Sequence, residues 1–170
     1  MWKKILPDEF QKSVLDINPL DLKNKGFKLV LLDIDNTIAK YEDAEPDEAT
    51  KKWVNSVKDV GLAVCVFSNN RPRRVHTFGE HLKTKSFPLS TKPFKRQYKA
   101  IIREFSVPAE EICAIGDQLF MDVLGAKRMG IYVILVDRIY DTGTFIRKWV
   151  TTFEDKVRLK YRPQESAGDL

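Results

Sequence analysis

"KLVLLDIDNTIAKY", Lys28 to Tyr41, runs four apolar residues, Leu29 to Leu32, into a pair of aspartates, Asp33 and Asp35. An uninterrupted apolar run of this length, rich in branched side chains, is the pattern of a strand buried on both faces. Such strands belong to parallel sheets covered by helices on either side. A buried strand that ends on two carboxylates therefore asks what those charges meet at its exit.

Further short apolar runs repeat the plan: "LAVCVFS" (62–68), "FPLS" (87–90), "ICAIGD" (112–117) and "YVILVD" (132–137). Between them lie segments with helical spacing: Ala49, Trp53, Val57 and Val60; then Tyr98, Ile101, Ile102 and Phe105; then Val123, Leu124 and Met129, stopped by Gly130. The alternation predicts an α/β fold, a three-layer Rossmann-like arrangement around a mostly parallel five-stranded sheet. At 170 residues and 43% hydrophobic content the chain can bury one substantial core. The expected organisation is an amphipathic extension over 1–26, a core over 27–138 and a basic extension over 139–170.

The net charge of +5 and pI near 9.1 favour an anionic partner without choosing among nucleic acid, phospholipid and phosphorylated metabolite. Cys65 and Cys113 lie inside apolar runs, too few for a disulfide scaffold and without metal-ligand spacing, so both read as buried reduced thiols. His76 and His81 are five apart, off the i, i+4 spacing of a shared metal, and read as surface or interface residues. No apolar stretch reaches the roughly 18 residues needed to span a bilayer, and no signal-peptide pattern follows Lys3 and Lys4. The expected location is cytoplasmic, with peripheral membrane contact left open.

In open α/β sheets ligands bind beyond the carboxyl ends of the strands. Asp33 and Asp35 leave the first run, Ser68 and Asn69 the second, and Asp117 the fourth, which sends polar groups from three strands to one edge. Each cluster alone is ordinary turn chemistry. Together and in this order they form a constellation.

"DIDNT" (33–37), "SNN" (68–70), "TKP" (91–93) and "GDQLFMD" (116–122) resemble the four ordered motifs of the haloacid dehalogenase-like phosphatase superfamily, with intervals of 35, 24 and 25 residues between Asp33, Ser68, Lys92 and Asp117. The resemblance covers residues 28–137. It implies a nucleophile at Asp33, which forms an aspartyl-phosphate and splits one hydrolysis into two easier steps. Asp35 becomes the general acid and base. Ser68 and the Asn69 amide would donate to the phosphoryl oxygens, and Lys92 would supply positive charge. Mg²⁺ is the implied cofactor, held by Asp33, the backbone carbonyl of Asp35 and Asp117, with Asp122 orienting the metal shell or Lys92. Asn36 stands where such motifs often carry glycine; asparagine also tolerates left-handed backbone.

Asp35 discriminates within the superfamily. The ion-pumping ATPases carry threonine there and the dehalogenases lack the carboxylate, so Asp35 favours phosphatase or phosphomutase chemistry. A receiver domain fits worse, because its phosphorylated aspartate would end the third strand and "FPLS" ends in serine. A non-catalytic phosphate- or lipid-binding module is the non-enzymatic alternative, and the retention of both Asp33 and Asp35 argues against it.

Neither Asp35–Ser68, with a short flap from Ile38 to Asp47, nor Ser90–Ile112 is long enough to hold a cap domain. Capless relatives act on bulky substrates or borrow a neighbouring subunit as a lid. Residues 70–103 hold ten Lys or Arg (Arg71, Arg73, Arg74, Lys83, Lys85, Lys92, Lys95, Arg96, Lys99, Arg103) against Glu80 alone. Trp2, Ile5, Leu6, Phe10, Val14 and Ile17 near one end, and Phe145, Ile146, Trp149, Val150, Phe153 and Val157 near the other, form amphipathic stripes that either lie on an anionic bilayer or pack on the parent domain. The capless layout, the Trp-containing N-terminal segment and "GDQ" are similar to the YqeG-type subfamily and its phosphatidylglycerophosphate phosphatases. That resemblance implies an anionic lipid head group as substrate; a soluble phosphoprotein, nucleotide or sugar phosphate is the alternative, nucleic acid is disfavoured as a partner, and oligomerisation is left open.

Overall fold

The computed structural model describes residues 6–139. Six strands form one parallel sheet: β1 (Glu9–Gln11), β2 (Leu29–Leu32), β3 (Ala63–Phe67), β4 (Lys85–Phe87), β5 (Ile112–Gly116) and β6 (Tyr132–Val136), in the order β1-β6-β5-β2-β3-β4. After β2 the chain builds outward through β3 and β4; it then returns to the other side of β2 for β5 and β6. The switch point falls between β2 and β5, where a crevice opens at the carboxyl ends. Leu32 pairs with Val66 on one side and Ile115 on the other, so three strands deliver the residues that follow them to one level.

The sheet has one strand more than the sequence pattern predicts. Glu9–Gln11 pairs with Ile134–Val136. Three residues of mixed polarity carry no strand signature, and only the open edge of β6 gives them partners. The amphipathic stripe that follows packs onto the domain: Val14 and Ile17 are buried, and the Ile17 carbonyl accepts from Trp53 Nε1 at 2.9 Å. Trp2, Ile5 and the C-terminal stripe lie outside the described residues.

Strand alternation distributes the core to two faces. Val30, Leu32, Val64, Val66, Cys113 and Ile115 pack with Trp53, Val54 and Val57 of α2 (Glu48–Asp59) and Val75 and Phe78 of α3 (Pro72–His81), behind Leu22 of α1 (Pro19–Asn24). On the opposite face Phe67 meets Tyr98 of α4 (Lys95–Phe105) edge-on, centroids 4.7 Å apart. Helix α2 begins where Asp47 Oδ1 accepts from the Thr50 amide at 2.7 Å, satisfying an orphan donor of the first turn. Its end passes to Gly61 at φ +87, a backbone conformation that costs glycine nothing. A wide turn over Leu119–Val123 leads into the short α5 (Leu124–Lys127).

The "FPLS" strand sits earlier than expected, at Lys85–Phe87. Pro88 has no amide to donate to a ladder, and Leu89 turns the chain out at φ +46. Its amide reaches the Asn70 carbonyl instead. Among the described residues no domain is inserted after β2 or after β4, and no helix is long and apolar enough to cross a membrane.

Cys65 pairs in register with Leu31 and Cys113 with Val30, so the two free thiols lie on opposite faces of the sheet and two strand spacings apart. That is roughly 9–10 Å across the strands. No disulfide bridges such a gap.

Candidate active site

Asp33 follows β2 directly, its amide tied to the Ile115 carbonyl at 3.0 Å. Asp117 follows β5, and Asp122 comes five residues later in the wide turn. All three carboxylates are buried, with oxygens within 4.8 Å of one another. Between them lies the Lys92 ammonium, which donates to Asp33 Oδ1 at 2.6 Å, Asp122 Oδ1 at 2.6 Å and the Phe67 carbonyl at 3.1 Å. All three ammonium protons thus have acceptors. Arg138 Nε stands 3.3 Å from Asp117 Oδ2, and the Thr37 hydroxyl lies 3.5 Å from Asp33 Oδ2 and 3.4 Å from Asp117 Oδ1.

The electrostatics follow from this crowding. Burial pushes the Asp33 carboxyl up to about 8, helped by Asp122 and Asp117 and opposed by Lys92. Burial also works against the Lys92 charge, but Asp122 and Asp33 outweigh it and hold the ammonium above the ordinary lysine range. Three carboxylates this close resist full ionisation in a dry site, which is why Asp33 holds its proton. The donors are hard oxygens, the set that suits a divalent cation.

The loop residues are pinned by side-chain hydrogen bonds, and the Asn69 side chain takes a role the sequence does not show. Asn69 Oδ1 accepts from Ser90 Oγ at 2.5 Å and from the Lys92 amide at 2.8 Å, and its Nδ2 donates to the Lys92 carbonyl at 3.2 Å. The Asn69 side chain therefore fixes the loop that carries Lys92. Ser68 is buried; its Oγ accepts from the Asn70 amide at 3.3 Å, which leaves its own O–H to donate. Asn36 takes φ +64, as its motif position demands. The Asp122 carboxylate accepts from both Lys92 and the Gln118 amide (3.0 Å), and Gly116 is the surface against which it rests.

Asp35 stands apart from the carboxylate cluster. Its Oδ2 accepts from Asn70 Nδ2 at 2.8 Å and its Oδ1 from Arg74 Nε at 2.9 Å. Arg74, which the charge count groups with the basic mouth, is thus turned inward, and its side chain is 16% exposed. Arg71 and Arg73 do face solvent. Arg74 and Arg138 carry no motif signal; only the folding of α3 and of the chain after β6 brings them to the site. A cavity of about 540 Å³ beside Lys25, Lys127 and Tyr132 lies at the amino ends of the strands, away from this chemistry, with its lysines paired to Glu9 and Asp8.

The buried carboxylates of Asp33, Asp117 and Asp122, the buried Lys92 and the strand-end Ser68 and Asn69 thus meet at the switch point of a parallel sheet. The family described as HAD-hydrolase-like matches residues 90–161. "Probable phosphatase YqeG" of Bacillus subtilis is 33% identical over 158 residues, 92% of each chain. A glyceraldehyde 3-phosphate phosphatase of Pyrococcus abyssi is 32% identical over 93 residues, 49% of this chain and 39% of its own. Among solved structures, the 3-deoxy-D-manno-octulosonate 8-phosphate phosphatase of Yersinia pestis aligns with a TM-score of 0.55 at 13% identity, covering 69% of each chain, and supports the fold. The chain belongs to the haloacid dehalogenase-like hydrolases, in their capless, YqeG-type branch. It is a phosphatase.

Proposed function

We propose that this enzyme is a Mg²⁺-dependent phosphomonoesterase that works through an aspartyl-phosphate on Asp33 and draws its substrate from a membrane, a phospholipid such as phosphatidylglycerophosphate. Residues 27–138 would form the catalytic unit. Asp33 Oδ2, the oxygen not taken by Lys92, attacks phosphorus while the bond to the leaving oxygen breaks. The proton on Asp35 passes to that oxygen, and the alcohol departs. Asp35, now a carboxylate, takes a proton from the water that attacks the phosphoryl group, and inorganic phosphate leaves Asp33 free. Ser68 and the Asn69 amide donate to the phosphoryl oxygens, and Lys92 holds Asp33 oriented. Asp33, Asp117 and the Asp35 carbonyl would hold the metal, with Asp122 steadying Lys92. Bound Mg²⁺ would cancel the repulsion between carboxylate and phosphate.

The observation that supports a lipid substrate is the rim of the site. Leu89, Phe94 and Met121 are 51%, 64% and 37% exposed on the loops after β4, around Lys92 and after β5. Leu89 and Met121 meet the same Asn69–Asn70 turn: the Leu89 amide bonds the Asn70 carbonyl, and Met121 Sδ lies 3.9 Å from Asn69 Nδ2. Exposed Arg71 and Arg73 follow Asn70 along the chain, and exposed Lys95 and Arg96 follow Phe94. Apolar side chains among cations suit an anionic bilayer interface, each near-surface cation contributing about 1 kcal/mol. Hydrolysis of phosphatidylglycerophosphate in anionic vesicles, with a small soluble phosphomonoester as control, tests this. Leu89→Gln, Phe94→Ser and Met121→Gln combined, or Arg71→Glu with Arg73→Glu, should depress vesicle turnover far more than control turnover. Equal losses, or preference for a phosphoprotein, nucleotide or sugar phosphate, would reject the lipid reading. Tight ligand binding with no turnover on any phosphomonoester would favour a binding module.

A further inference from the structure

One guanidinium joins the expected acid–base residue to the flap. Arg74 Nε donates to Asp35 Oδ1 at 2.9 Å, Nη2 to the Lys40 carbonyl at 2.8 Å, and Nη1 to the Asp43 carbonyl. Its cation lies over the Phe78 ring at 4.8 Å and the Tyr41 ring at 5.7 Å. Arg74 occupies the first turn of α3, a helix fixed to the sheet by buried Val75 and Phe78. On the other side Asp43 Oδ2 accepts from the Lys40 amide at 2.7 Å, which closes the turn that Arg74 grips.

We propose that Arg74 is a positioning residue: it sets the direction of the Asp35 carboxylate and latches residues 40–43 to the same anchor, so that acid and flap hold one geometry. The inference rests on the assignment of Asp35 as general acid and base. With Asn70 on the other oxygen, the carboxylate can neither rotate about its own axis nor swing away without breaking a bond. Each oxygen keeps a second lone-pair direction for the substrate. Only a planar fork reaches all three acceptors: a lysine ammonium at this place is a point charge and could retain one of them. The cleft of about 520 Å³ bounded by Ile38, Asp43 and Ile139 lies beside this latch, so its shape depends on the flap being held.

Leaving-group dependence separates positioning from general damage. An alkyl ester needs its leaving oxygen protonated, whereas p-nitrophenolate leaves without much help. We would measure kcat/KM with Mg²⁺ on glycerol phosphate and on p-nitrophenyl phosphate for wild type, Asp35→Asn, Arg74→Gln and Arg74→Lys. A well-placed general acid contributes on the order of 10²–10⁴-fold. Misdirecting it should therefore cost Arg74→Gln about tenfold to a hundredfold on the alkyl ester and under about threefold on the aryl ester. Arg74→Lys, which keeps the stem packed on Phe78 and so keeps the fold, should show the same selective loss. Amide hydrogen exchange over residues 40–43 should rise in both Arg74 variants while the strands keep their protection. Selective loss in Asp35→Asn with equal losses on both esters in the Arg74 variants would overturn the inference and leave the acid assignment standing. No selectivity in Asp35→Asn would remove that assignment and the inference with it. Full rescue by Arg74→Lys, or unchanged exchange in the flap, would also overturn it.

Discussion

Replacing Lys92 with methionine removes one charge and almost no volume, which makes it a clean probe of the carboxylate cluster. The ammonium is 3% exposed and sits between Asp33 and Asp122. Methionine keeps the aliphatic stem, so no large cavity forms. What remains is three buried carboxylates within 4.8 Å, with Arg138 on Asp117 as their cationic partner among the described contacts. Taking one partner from a buried ion network costs about 3–5 kcal/mol. For a chain of this size each kcal/mol shifts Tm by about 2–4 °C, giving a loss of roughly 6–20 °C in EDTA. The site's extra negative charge should tighten cation binding, so saturating Mg²⁺ should raise the melting temperature of the variant by more than that of wild type. Calorimetry with EDTA and with Mg²⁺ reads both quantities, and phosphatase assays should show no turnover in the variant. A Tm within about 2 °C of wild type in EDTA, or an equal Mg²⁺ increment in the two proteins, would refute the account, since either means that Lys92 does not carry the charge balance of the site.

Gly116→Ala should destabilise the protein by about 1–3 kcal/mol and abolish turnover. The new Cβ would lie 2.3 Å from Asp122 Cγ and 2.5 Å from its Oδ2, forcing the Lys92 partner to move; wild-type activity in this variant would contradict the packing. In EDTA, stability should fall as pH rises between about 4 and 8, because the folded chain retains on Asp33 a proton that the unfolded chain releases near 3.8. Mg²⁺, which takes the ionised form, should flatten that slope, and denaturant titrations across the window check it. Burial pushes Cys65 up to about 12 and raises Cys113 as well, so neither thiol should react with iodoacetamide at pH 8 in the folded protein, and both should react after unfolding without reductant. Rapid alkylation of the native chain, or fewer than two thiols on unfolding, would count against the strand order.

What the sequence reveals of this fold is what is local in the chain. Leu29–Leu32 and its counterparts declare themselves as buried parallel strands because burial on both faces leaves an apolar run with no polar alternation. The aspartates, Ser68 and Lys92 were legible as a set because the carboxyl edge of such a sheet is where strand-end residues converge, and their order along the chain matches a known motif order. Asn36 was legible for a local reason, its tolerance of positive φ.

What required the tertiary structure was every decision made by a distant partner. Glu9–Gln11 becomes a strand only because β6 offers an open edge, and Val14 and Ile17 become core only because α2 brings Trp53 over them. The motif speaks only to the Asn69 amide; that the Asn69 side chain is committed to the Lys92 loop 23 residues away shows only in the fold. Arg71, Arg73 and Arg74 look alike in "NNRPRR"; Arg71, extended ahead of the helix, and Arg73 face solvent, while the helical turn that starts at Pro72 brings Arg74 to Asp35, 39 residues back along the chain. Residue type and spacing determined which chemistry the chain carries, because a strand end and a buried run are local patterns. The direction in which a long cationic side chain points was decided by which acceptors the folded chain placed within its reach, and that information exists only once the sheet has closed the sequence distance between them.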